Sequence, residues 1–288
     1  MAPGPTVNRR QLGAELRRLR EAAGLRIEDA AKELGCSHTR LSRIETGKGG
    51  AVAKASDVRG LCAVYGVSDE RQIEMLLGML SAASQQRGWW EAFEAVLPSG
   101  LETYVGLESD ARTERAWEPL LVHGLLQTPD YARATIQAAR LHRPGDIDDL
   151  VQLRTERKKL LSRRPDPLEL WAVLDEAVLH RSVGSAEVMR AQILHLQEMV
   201  EIPTVTIQVL PFGKGAHAGL SGAFALLEFD ADTDTKTVVY VDSPAGNLYM
   251  EKPRDIRRFV QAFDLLRAAA LDPDESMARL DRAAKEMK

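Results

Sequence analysis

What this chain lacks narrows its chemistry before any motif is considered. Its 288 residues include only two cysteines, Cys36 and Cys62, too few for a disulfide framework. No apolar run reaches the roughly 18 residues that a membrane-spanning helix needs, so no membrane partner is expected. The opening MAPGPTVNRR places arginines without an apolar segment behind them, which is not the pattern of a secretory signal. A cytoplasmic, nucleoid-associated protein is the expectation. Neither a GxGxxG nor a Walker phosphate loop occurs, and no GxSxG elbow is present. The nearest approach to a zinc-protease helix is DEAVLH, where Asp175 stands in the first ligand position and His180 follows five residues later. Zinc needs two histidines four apart on one helical face. His123, His142, His195 and His217 are scattered without metal-ligand spacing. The sequence thus predicts no catalytic residue, no cofactor and no metal, and an enzyme is not expected.

Strong positive charge is also lacking, since Lys and Arg number 38 against 42 Asp and Glu, a net of −4. The balance is uneven along the chain. Residues 1–82 hold 13 basic and 10 acidic side chains, whereas residues 83–288 hold 25 and 32. One part suits a phosphate backbone and the other does not.

The positive part contains LRIEDAAKELGCSHTRLSRIETG, Leu25 to Gly47. Ile27, Ala30, Ala31 and Leu34 recur at helical spacing and mark one buried face. Gly35 stops that helix, and Ser37 is placed to cap a new one. In the second helix Leu41 and Ile44 point inward. His38, Thr39, Arg40, Ser42 and Arg43 are left outside, each able to donate a hydrogen bond to the N7, O6 and O4 acceptors of a DNA major groove. Arg26, Ser37, Thr46, Lys48 and Lys54 are candidates for holding phosphates.

Around this stretch, residues 1–8 are expected to be a disordered lead. Leu12, Leu16 and Leu19 form the inner face of a first helix closed by Gly24, with Arg9, Arg10, Arg17 and Arg18 outside. A fourth helix begins at Ala55 or Ser56 and buries Val58, Leu61, Cys62 and Tyr65. Ser68 caps a fifth, carrying Ile73, Met75, Leu76, Leu77 and Leu80. Cys36, in the turn before the recognition helix, fits either a redox switch or a small buried hydrophobe, and the second is the ordinary case.

The segment RLREAAGLRIEDAAKELGCSHTRLSRIETGK resembles the phage-repressor and Cro class of helix-turn-helix proteins, the xenobiotic-response-element family. The resemblance covers residues 12 to about 80, with RIETGK its most specific part. It implies a buried salt bridge between Arg20 and Glu45, and base reading by His38, Thr39 and Arg43. The pair Arg26 and Ile27 departs from the family's usual capping residue and glutamine. A poor cap follows, with Arg26 gripping a phosphate by charge instead.

SAASQQR, residues 81–87, reads as a hinge, which gives domains at 9–82 and 83–288. After it, GWWEAFEAVLPSGLETYVGLESDA, EPLLVHGLLQTPDYARATI, VLDEAVLHRSVG and VTIQVLPFGKGAHAGLSGAFALLEF resemble the C-terminal domain of WhiJ-like actinobacterial regulators. That likeness implies a transcription factor, often paired with a small companion protein. The residues themselves predict helices at about 101–112, 129–140, 146–162, 185–200, 253–270 and 273–286. Strands are expected at 168–174, 204–210, 223–229, 237–242 and 245–250. The fold class is therefore α+β overall: an all-α five-helix helix-turn-helix bundle, then a mixed α/β domain around one sheet.

Two features of the second region admit two readings each. The glycine-rich PFGKGAHAGLSG, with Phe212, Lys214, His217 and Ser221, fits a ligand or partner loop, or only a long connection between strands. Trp89, Trp90, Phe93, Trp117 and Trp171 fit an aromatic pocket, or a seal between domains or subunits. The expected function is a DNA-binding transcriptional regulator acting as a homodimer on an inverted repeat, with the C-terminal domain sensing a ligand or companion protein. The alternative is an antitoxin-like module that mainly captures a small companion.

Overall fold

The structure, a computed structural model, describes residues 5–47, 53–85, 89–98, 100–141, 143–230, 237–243 and 246–287. Five helices come first: α1 (Pro5–Ala22), α2 (Ile27–Leu34), α3 (His38–Thr46), α4 (Ala55–Val64) and α5 (Glu70–Gln85). Helix α6 (Leu101–Asp110) follows, then β1 (Thr113–Glu118), α7 (Pro129–Ala139), α8 (Ile147–Lys158) and β2 (Glu169–Asp175). The chain continues through α9 (Ala177–His180), α10 (Ala186–Val200), β3 (Val205–Leu210), β4 (Phe224–Glu228), β5 (Thr237–Val241) and β6 (Leu248–Met250). It ends with α11 (Pro253–Ala269) and α12 (Pro273–Glu286). The α+β class is as expected, and no described helix is long and apolar enough to cross a membrane.

The chain forms two compact units, Met1–Ala92 with Pro98–Asp110 and Asp230–Thr235, and Phe93–Leu97 with Ala111–Phe229 and Lys236–Lys288. This division differs from a boundary at residue 82. Helix α6 belongs to the first unit because its last carboxylate, on Asp110, accepts from the N–H groups of Thr6 and Val7 at 3.1 and 3.0 Å. Those are free donors at the start of α1, and an acidic cap there is favourable. Gly106 lets α6 approach closely: a Cβ on it would lie 2.2 Å from Thr6 Oγ1 and 3.0 Å from the Trp90 ring.

In the first unit Leu12, Leu16, Leu41, Ile44, Val58, Leu61 and Leu76 meet in one apolar core. The helix expected to start after a disordered lead already includes Pro5 to Asn8, with Val7 only 1% exposed. Residues 1–4 lie outside the described residues. Arg10 is also buried rather than outside, because it lies against Gly47 at the end of α3. Asp69, not Ser68, caps α5: its Oδ1 accepts from Arg71 N at 3.0 Å.

The second unit is built on a six-stranded sheet of order β3-β2-β1-β4-β5-β6. Strands β1, β2 and β3 run parallel, and β4, β5 and β6 extend the sheet antiparallel. On one face Trp117, Val173, Leu226 and Val239 pack beneath Phe263 and Leu266 of α11. The outer edge of β3 is closed by the start of α12: Val209 N donates to Ser276 Oγ at 3.0 Å, and Leu271 N donates to Val209 O at 2.9 Å. The expected strands all form, β6 only over Leu248–Met250. The central one, β1, was not expected. Its sequence TERAWE sets two charges, Glu114 and Arg115, before two apolar residues, Ala116 and Trp117, so the two-residue period of a strand is missing.

Candidate nucleic-acid interface and the polar interior of the second unit

Helix α3 exists because its ends are capped on both sides. Ser37 takes an extended backbone and its Oγ accepts from Arg40 N at 3.1 Å. Gly35 and Gly47 terminate α2 and α3 in the left-handed conformation, at φ +71° and +62°, which a glycine adopts without steric cost. The Arg26 side chain makes no capping hydrogen bond to α2, as its sequence implied. Leu41 and Ile44 are buried, and Gly13 of α1 permits the helices to touch: a Cβ there would lie 2.5 Å from Ile44 O.

The salt bridge implied by family resemblance is present and buried. Arg20 Nε and Nη2 donate to the two Glu45 oxygens at 2.7 and 2.8 Å, and Arg20 Nη1 donates to Leu25 O at 2.9 Å. Tyr65 Oη donates to Glu45 at 3.4 Å. Burial, aided by the Glu45 charge, pushes the Tyr65 hydroxyl pKa well up. The pair ties α1 to the end of α3, and so fixes the angle at which the outer face is presented.

On that outer face His38, Thr39 and Arg43 are exposed, and Ser42 is half-buried. Arg43 makes no side-chain hydrogen bond or ion pair among the described residues, while His38 Nε2 lies 3.7 Å from Glu28. Arg40 is placed otherwise than the sequence implied. Its guanidinium grips Asp57 of α4 through two bonds of 3.2 and 2.7 Å. The same Asp57 oxygen that takes the shorter bond also accepts from Lys54 N at 2.8 Å, so one carboxylate caps α4 and clamps α3 to it. Arg40 correspondingly holds the Asp57 carboxyl below its ordinary value. Asp57 was missed in the sequence, although an acid three residues past a helix start is a capping signal.

The phosphate candidates divide similarly. Arg26 and the Lys54 residue are exposed; Arg26 pairs with Asp29 at 2.9 Å across a solvent-facing surface. Ser37 is committed to its cap, and Thr46 Oγ1 donates to Ser42 O at 2.7 Å. Lys48 lies outside the described residues, as does His142.

In the second unit the 211–222 loop is anchored rather than open throughout. Trp117 Nε1 donates to Gly219 O at 2.9 Å, and a Cβ on Gly219 would meet that nitrogen at 2.4 Å. His217 packs edge-on to Trp117 and is turned inward, whereas Phe212, Lys214 and Ser221 are exposed. Phe212 stacks on His180, and its N–H donates to the buried carboxylate of Glu176 at 2.7 Å. Glu176 is also paired with Arg279 of α12. Trp90 packs on Gly106, while Trp117 and Trp171 lie on the sheet face under α11, Trp171 edge-on to Phe263.

A second polar group lies behind β1, and sequence reading passed over it. Glu114 is fully buried, with His123 Nε2 at 3.2 Å from its Oε1. Burial raises the neighbouring Glu118 to about 7, with His123 opposing the shift. Gln127 spans the next layer: its Nε2 donates to Val122 O at 2.7 Å, and its Oε1 accepts from Arg154 Nη1 at 2.5 Å. Val122 N donates to Tyr131 Oη at 3.2 Å.

Comparison with known proteins also divides the chain in two, but with α6 in the second part. A model described as a helix-turn-helix domain matches residues 11–74, and one described as a domain of unknown function, DUF5753, matches residues 101–282. No curated protein and no solved structure matches the chain. With a helix-turn-helix domain preceding a match that spans well over half its length, the chain belongs to the DUF5753 family.

Proposed function

We propose that this protein is a sequence-specific transcriptional regulator that binds DNA as a homodimer and is not an enzyme. The observation that carries the reading is the outer face of α3. His38, Thr39 and Arg43 stand exposed there on a helix whose back is anchored by Leu41, Ile44 and the Arg20–Glu45 pair. Arg43, with no internal partner among the described residues, is free to bind a guanine edge in bidentate fashion, and His38, Thr39 and Ser42 contact neighbouring bases. Arg26 and Lys54 hold phosphates and set the register. Two such helices related by a two-fold axis enter successive major grooves roughly 34 Å apart and read an inverted repeat.

The DUF5753 region then supplies the sensing function, toward a small ligand or the companion protein that the resemblance to WhiJ-like regulators implies. Genome-wide mapping of sites bound by the purified protein tests this reading. Recovered sites should share an inverted repeat with half-sites about 10 base pairs apart or a multiple of that. Recovery of no enriched sequence at low ionic strength would overturn it. An Arg43→Ala variant that keeps its stability should lose preference at one position of each half-site.

A further inference from the structure

Three side chains from α8 and α10 stand in a row. Lys158, the last residue of α8, places Nζ 2.9 Å from His195 Nε2. The other ring nitrogen, His195 Nδ1, lies 3.2 Å from Glu198 Oε2. A carboxylate only accepts, so the imidazole proton belongs on Nδ1 and the Nε2 lone pair faces the amine. His195 and Glu198 are three apart on one face of α10, so the carboxylate fixes the ring that meets Lys158.

Lys158 differs from every other described lysine in being half-buried rather than exposed. Lys159, the next residue, projects into solvent and donates to both Glu156 oxygens at 2.8 and 2.6 Å. Lys158 has no such carboxylate among the described residues; its partner is an imidazole able to take its proton. Burial pulls the Lys158 amine below its ordinary value, with Glu198 opposing. Burial lowers His195 too, with Glu198 opposing and Lys158 adding to the shift. Two basic groups side by side and partly out of water are held most cheaply when both are neutral. A nucleophile within hydrogen-bond reach of a base, the base being oriented by a third group, is the arrangement that activates an amine.

We infer that Lys158 is a nucleophilic amine that captures a small aldehyde as an imine, with His195 moving the protons and Glu198 orienting the ring. The Nζ lone pair attacks the carbonyl carbon, and a C–N bond forms as the C=O π pair moves to oxygen. His195 Nε2 takes a proton from the nitrogen and returns it to that oxygen, giving a carbinolamine. The remaining N–H proton reaches the hydroxyl by the same route, and water leaves as the C=N bond forms. One amine and one aldehyde thus give one imine and one water, with no oxidant or reductant. The chain takes up one ligand and does not turn it over. The site therefore deepens the sensing role proposed for the DUF5753 region, and rests on that reading only for its purpose.

The test treats the full chain at neutral pH with propanal and sodium cyanoborohydride, which reduces the imine to a stable secondary amine. Peptide mass spectrometry then reads the rate at each lysine. Lys158 should be labelled faster than Lys159 despite its lower exposure, and its rate should rise at lower pH. His195→Asn should slow labelling at Lys158 by about tenfold or more and leave Lys159 unchanged. Glu198→Gln, whose side chain is mostly exposed, should slow it several-fold, and carries the comparison should His195→Asn fail to fold. A Lys158 rate no greater than that of Lys159, or one that neither substitution lowers, overturns the site. Its failure and that of the sensing role separate in a DNA-shift assay on propanal-treated parent and Lys158→Arg protein. A change in DNA affinity confined to the parent supports both. Adduct at Lys158 without such a change keeps the site and removes the sensing role; absence of a preferred adduct removes the site and leaves DNA recognition intact.

Discussion

Helix α3, HTRLSRIET, and strand β1, TERAWE, are two short segments rich in hydrogen-bonding side chains, and they direct them oppositely. In α3 the 3.6-residue period turns Leu41, Ile44 and Glu45 inward and leaves His38, Thr39 and Arg43 outside. In β1 the strand is paired on both edges, so Glu114 has no route to solvent and meets His123 instead, while Arg115 meets Glu228 of β4. The difference shows that polarity in a sequence does not report exposure. What decides is whether the element lies on a surface or in the middle of a sheet, and a charge in the middle must find its partner within the protein.

The contrast can be broken from either side, beginning with the strongest expected effect. Arg20→Ala leaves Glu45 buried without a counter-charge, and should lower stability by about 3–5 kcal/mol in urea unfolding. A loss below 1 kcal/mol would mean the pair does not anchor α3. Gly13→Ala drives a methyl group toward Ile44 O and Glu45 O, both backbone atoms that move only with α3. It should cost about 3 kcal/mol by the same measurement, near the upper end for overpacking.

Glu118 sharpens the other side through pH. Its folded pKa, near 7, lies above the ordinary value of 4.5, so the folded state holds the proton more tightly than the unfolded state. The contribution is complete below pH 4.5, declines as pH rises through that window, and is lost above about 7. Glu118→Gln should remove this decline, which is on the order of 2 kcal/mol because its side chain keeps 22% exposure. Parallel stability curves for parent and variant between pH 4.5 and 7 would contradict the assignment.

On α3 the effects fall on binding rather than folding. Arg43→Ala should weaken DNA affinity by about 1.5 kcal/mol, roughly tenfold, with unfolding unchanged within about 0.5 kcal/mol. Arg40→Ala should show the smallest change, about 0.5–1 kcal/mol of stability, because the Arg40–Asp57 pair is partly solvent-exposed. If Arg40→Ala instead altered preference at one base without touching stability, Arg40 would be a base reader and not a clamp.

Legibility followed periodicity and chemistry. The apolar spacing of α2, the Ser37 cap and the Gly35 and Gly47 stops are local features, readable because each acts within one or two helical turns. The alternating β-branched run of β3 was similarly plain. Arg40 could not be placed that way, since its partner Asp57 lies 17 residues on and the two meet only when α3 and α4 pack. The same holds for β1, for the Asp110 cap of α1, and for the Arg154 network.

The amino-acid order alone determined where α2 and α3 begin and end, which residues form the first core, and that His38, Thr39 and Arg43 of α3 face outward. Those outcomes depend on backbone preferences and on periods of a few residues. Tertiary structure decided that TERAWE is the centre of a sheet, that α6 closes against α1, and which arginines are committed to a carboxylate. Ion pairs and caps between distant segments carry no local signature, because their energy appears only when packing excludes water and brings the partners within about 3 Å.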